Sequence, residues 1–205
     1  MEYLRQKWEW LAGRSPLANQ LGEELVARHQ EPQRHYHTLQ HLQELFEWLD
    51  ALGQDFAHQN LIGWSIWYHD AVYQPSRRDN EKVSAQLAHA ALSELGLPTE
   101  DIQTICRWIE ATQTHLLATE DQHPAAQFFM DIDLAILGSS PEKYMEYTQQ
   151  IRQEYRKIPP ILYRPGRRKV LKHFLEQPHI YQTPRCRELW ETNARQNLKR
   201  EIESL

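Results

Sequence analysis

The stretch LIGWSIWYHDAVY, residues 61–73, ends an apolar, aromatic run with an imidazole and a carboxylate side by side, His69 and Asp70. An ionised Asp in such surroundings is costly unless something compensates it. A buried His–Asp hydrogen bond would do so, and so would a cation. A second stretch, RHYHTLQHLQEL at 34–45, places His37 and His41 four residues apart. On a helix they share a face one turn apart. The leucine stripe has His41 at its flank and His37 further round, so His41 is the one expected to point into a cleft. Alone, the pair reads more readily as ordinary surface or capping histidines near a helix start. A third stretch, FFMDIDLAILG at 128–138, embeds Asp131 and Asp133 in an apolar helix. Capping cannot explain both, and a cation or an arginine is expected to compensate them. Arg152, Arg164, Arg167 and Arg168 are available for that.

Together these stretches offer two imidazoles and two carboxylates on separate helices. Nitrogen and oxygen ligands without thiolate suit Mn, Fe, Co, Ni, Mg or Zn as a divalent ion and do not choose among them. Four protein ligands on a six-coordinate ion leave positions for water and substrate, the mark of a catalytic rather than a structural site.

The elements that must position these residues are helical. Glycine is scarce, seven in 205 residues, and no run alternates as a strand would. Leucines recur at helical steps from Leu39 to Leu52, ending near Gly53. Residues 56–72 read as a more fully buried helix, and 80–95 as another closed by Gly96 and Pro98. Thr99 opens a helix with an acidic first turn that runs to about Leu116. Residues 125–137 form a short helix ended by Gly138. Ser140-Pro141-Glu142 caps a helix that runs to about Lys157, where Pro159-Pro160 breaks it. Residues 164–176 and 185–203 complete the set. The expected architecture is a single all-α bundle of about eight to ten helices. Residues 34–205 form its core, and the first thirty residues are a helical appendage.

The composition, 40% hydrophobic and 25% charged, supports a proper core. A net charge of −5 argues against a general nucleic-acid binder while leaving room for a local basic patch. Two distant cysteines, Cys106 and Cys186, give no disulfide framework or zinc knuckle, and a reducing cytoplasmic setting fits best. No apolar stretch is long enough to span a bilayer, so no membrane partner is expected. A homo-oligomer is compatible with the N-terminal helix carrying Trp8, Trp10 and Leu11.

The ordered set YHTLQHL, WYHDAVY, DNEKVSA, DIDLAILG, IRQEY, YRPGRRKVL and NARQNL resembles the HD-domain superfamily. More particularly, it is similar to a bacterial branch of predicted metal-dependent phosphohydrolases. The resemblance runs from about Arg34 to the end. It implies an HD-domain-like bundle holding one divalent ion per chain. The ligands would be His41, His69, Asp70 and an acid of the DID motif: Asp133, the second acid, with Asp131 as the alternative. It further implies hydrolysis of a phosphate ester of a small molecule, such as a nucleotide, by metal-activated water. Asp70 or Glu81 would handle protons. His37, Arg77, His115, Arg164 and Arg168 are candidate substrate contacts, because phosphate calls for cationic donors. Two other readings compete. One is a di-iron HD-type oxygenase that recruits extra histidines. The other is a module that binds nucleotide or metal without turnover.

Overall fold

The structure is a computed structural model describing residues 1–205. It is all-helical, with ten α-helices, as the periodicity predicts. In chain order these are α1 Glu2–Ala12, α2 Pro16–His29, α3 Leu39–Leu52, α4 Gln59–Tyr68, α5 Asn80–Glu94, α6 Thr99–Ala111, α7 Pro124–Asp133, α8 Pro141–Glu154, α9 Pro160–Glu176 and α10 Pro184–Ser204. No helix is long and apolar enough to cross a membrane. The chain forms two compact units, Met1–Phe129 and Met130–Leu205.

In the first unit α4 is the buried rod. Every residue from Leu61 to Tyr68 is inaccessible, as a helix apolar all round must be. Helix α1 lies against it. The Trp8 ring meets Trp64 and Trp67 edge-on, at 5.5 and 5.4 Å between centroids. Its Nε1–H donates to the Ala18 carbonyl at 2.8 Å. Gly22 makes this possible, since a Cβ there would lie 2.7 Å from Trp8 Nε1. The first thirty residues thus contribute core to this unit. Ser140 caps α8 as expected, accepting from the Lys143 amide, and Ser15 caps α2 in the same way through Ala18, each with proline at the first helical position. Thr99 is instead the first residue of α6, after Pro98, and makes no cap bond.

The second unit is built on α10. Asn197 Nδ2 donates to the carbonyls of Leu137 and Ser139 at 2.9 and 3.0 Å, which fixes the 3₁₀ turn Ala135–Gly138. Arg167 of α9 forks onto Glu201 at 2.7 and 3.1 Å, and the Tyr144 hydroxyl donates to the same carboxylate.

Several boundaries differ from the sequence reading: α4 is Gln59–Tyr68 rather than 56–72, and α6 ends at Ala111 rather than near Leu116. The apolar segment 125–137 is an α-helix only to Asp133 and then tightens into the 3₁₀ turn. Helix α9 begins at Pro160 rather than near 164. Proline at the first position costs no hydrogen bond, so the second proline starts the helix instead of excluding it.

Candidate metal centre

His41 sits in the first turn of α3, whose start is capped by Thr38 Oγ1 accepting from the Gln40 amide at 3.3 Å. His69 follows the last residue of α4 in helical conformation, and Asp70 comes next in the chain. Both imidazoles are buried, while the Asp70 side chain keeps 16% exposure, enough to face an entering ligand. His69 Nδ1 lies 3.0 Å from the Ile66 carbonyl. A carbonyl can only accept, so Nδ1 carries the hydrogen and the neutral ring presents a lone pair at Nε2. That nitrogen is 3.3 Å from His41 Nε2 and 3.2 Å from Asp70 Oδ2. His41 Nε2 and Asp70 Oδ2 are 4.0 Å apart.

These spacings fit one ion. Donors about 2.1 Å from a shared metal lie roughly 3.0 to 3.4 Å from each other at adjacent positions, and up to about 4.2 Å when opposed. The three candidate atoms all fall within 4.8 Å of one another. Without a cation, a hydrogen on His41 Nε2 would bridge the 3.3 Å to His69 Nε2.

Arg34 holds this geometry from behind. Its buried guanidinium donates to the carbonyls of His37, Asp70 and Ala71 at 3.0, 2.8 and 3.1 Å. It therefore clamps the approach to α3 onto the end of α4. The loop after Asp70 is pinned to α5 by Asn80, whose amide exchanges two bonds with the Gln74 backbone, and by Ser84, which does the same with Val72. Sequence reasoning assigned no role to these three. Their signal was present in RHYH and DNEKVSA but reads as ordinary polar surface.

Around the cluster, His37 is partly exposed, stacked on Tyr73 at 4.0 Å, with Nε2 3.9 Å from Asp70 Oδ2. Burial raises the Glu81 carboxyl above its usual range, and the negative charge of Asp70 pushes the same way while His115 opposes it. Gln113 Nε2 approaches Glu81 at 3.4 Å. His115 follows α6 with φ 55°, a left-handed conformation unusual for a side-chain-bearing residue. So His37, Glu81 and His115 share this neighbourhood. Arg77 is exposed and forks onto Asp79 at 2.9 Å through two nitrogens. Arg164 and Arg168 lie on α9 of the second unit, Arg164 exposed and Arg168 reaching the Ile202 carbonyl at 3.5 Å.

The two acids of the DID motif part company. Asp131 is fully buried, and its carboxylate accepts from the amides of Gln182 and Thr183 at 2.6 and 2.7 Å and from Thr183 Oγ1 at 2.6 Å. Burial pushes this carboxyl up to about 6 against those donors and the Cys186 thiol. The expectation of a cation or arginine partner is not met here. Peptide N–H groups at the start of α10 do that work, Arg167 serves Glu201, and Arg152 donates to the carbonyls of Tyr155 and Ile158. Asp133, two residues on and about 200° round α7, is partly exposed.

A cavity of about 590 Å³ between α1 and α2, floored by Leu4, Trp8, Val26 and Trp67, contains none of these residues. Comparison of the chain with protein-family models, with curated proteins and with solved structures finds no match in any of the three.

Proposed function

We propose that the chain is a metal-dependent phosphohydrolase acting on a phosphate ester of a small molecule, such as a nucleotide. The observation that carries this reading is the convergence of His41 Nε2, His69 Nε2 and Asp70 Oδ2 at one-ion spacing, with the His69 tautomer set by Ile66. A divalent ion held there would lower the pKa of a water molecule and polarise a phosphoryl oxygen. Asp133 is our choice for the fourth ligand. It is the second acid of the DID motif, where the resemblance to the HD-domain pattern sets the last ligand. Asp131 is set aside because its oxygens are committed to α10.

Hydrolysis joins a water oxygen to phosphorus and breaks the P–O bond to the leaving alcohol. One proton must leave the water and one must reach the leaving oxygen. Asp70 is the acceptor in this scheme. Glu81, kept protonated more readily by its burial, is the donor. His37 and His115 face the phosphate oxygens.

The test is metal analysis of the purified protein together with phosphate release from a panel of phosphorylated metabolites. One ion per chain and turnover that fails in His69→Ala and Asp70→Ala support the reading. Folded, metal-free variants that keep wild-type turnover overturn it. The closeness of His37 to Asp70 favours one second reading, a two-iron centre sharing Asp70 and oxidising its substrate with O₂. Two irons per chain, with O₂ consumption and no phosphate release, would select that reading.

A further inference from the structure

The chain is acidic overall, yet residues 155–172, YRKIPPILYRPGRRKVLK, hold seven cations and no acid. Helix α9 carries most of this segment and sorts it. Tyr163, Arg167 and Leu171, one turn apart, face inward, with Arg167 spent on Glu201. The opposite face is open to solvent. Its first turn presents Ile161 at 79% and Leu162 at 66% exposure, side by side after Pro159 and Pro160. The following turns present Arg164, Pro165, Lys169, Val170 and Lys172, all exposed. The result is an aliphatic tip backed by cations, at the positive end of a helix dipole.

We propose that this face of α9 docks the protein on an anionic lipid surface, with Ile161 and Leu162 entering the headgroup layer and the cations meeting lipid phosphates. Polybasic charge and a few aliphatic side chains together give reversible surface binding that neither gives alone. A single-stranded nucleic acid fits less well, because base stacking needs exposed rings and this face has none. Surface docking needs no spanning segment, so it goes beyond the expectation drawn from the short apolar runs. It is also independent of the metal chemistry.

The test is co-sedimentation of the full chain with phosphatidylcholine vesicles, with and without phosphatidylglycerol. Binding is expected only to the anionic vesicles and falls steeply with added salt. Lys169→Gln and Lys172→Gln each weaken it about fivefold. Ile161→Ser with Leu162→Ser weakens it at least as much while leaving the circular dichroism melt unchanged, since neither side chain is packed. Equal binding to both vesicle types, or none to either, overturns the proposal. So does preference for RNA over anionic vesicles, or indifference to the Ile161/Leu162 pair.

Discussion

Asp70 in the first unit and Asp131 in the second are both largely withdrawn from water, and their surroundings differ in kind. Asp131 meets hydrogens: two amides and a hydroxyl converge on its oxygens. Asp70 sits beside imidazoles: its Oδ2 lies 3.2 Å from His69 Nε2 and 4.0 Å from His41 Nε2. The first arrangement is complete as it stands and ties α7 to the start of α10. The second brings two imidazoles and a carboxylate close enough to share a cation. Burial alone therefore does not separate scaffold from chemistry; the kind of neighbour does.

The sharpest way to break this contrast is to delete each acid and read metal content and stability together. His69→Ala and Asp70→Ala are expected to lower metal affinity and any turnover by more than about 100-fold, beyond the range of losses seen for outer partners. Asp131→Asn is expected to leave metal content at the wild-type level and to cost about 2 kcal/mol of stability, since the new amide group faces donors. Metal loss in Asp131→Asn, measured by elemental analysis, would put that acid back among the ligands. Arg34→Met sits between the two. It leaves three carbonyls without their donor and is expected to cost about 3 kcal/mol and roughly tenfold in metal affinity.

The pH dependence separates the regions again, with opposite signs. His29 is buried in α2, its Nδ1 2.9 Å from the Leu25 carbonyl, and burial pushes its imidazole down to about 3. The unfolded chain binds a proton there that the folded one refuses. Stability from His29 therefore falls as pH drops from the ordinary histidine range toward 3. Asp131 runs the other way. Its folded pKa of about 6 lies above the unfolded value, so the native state holds the extra proton and stability falls as pH rises from about 4 to 6. Each limb approaches about 1.4 kcal/mol per pH unit, and between about 4 and 6 they oppose. Denaturant titrations should thus show a steeper rise of stability with pH in Asp131→Asn than in wild type, and a fall in His29→Gln. Parallel profiles in all three proteins would refute the assignment.

What the sequence makes legible follows from these physics. A His–Asp pair closing an apolar helix is visible because local pattern predicts α4 and its burial, and the phase of the leucine stripe singles out His41 over His37. The choice between Asp131 and Asp133 is not visible, because helix phase says which acid faces which way but not what stands there. The donors to Asp131 come from more than fifty residues later in the chain. Arg34 is hidden for the same reason: its partners are carbonyls, which every residue has, so no residue type announces them. The early start of α9 is not legible because Pro159-Pro160 looks like a break, although a proline at the first helical position loses no hydrogen bond.

The smallest test bears on the scaffold side alone. Thr183 gives Asp131 both its amide and its hydroxyl, the latter at 2.6 Å. Thr183→Val keeps the shape, the β-branch and the amide and removes one donor of four. The expected loss is about 1 kcal/mol. Because that donor also holds the carboxyl down, its removal lets burial raise the Asp131 pKa further, and the falling limb of stability extends to higher pH. Thr183→Ser should restore both. A metal centre would not respond to either change. If Thr183→Val depleted bound metal, the two carboxylates would belong to one coupled system, and the division between a finished scaffold and an open centre would fail.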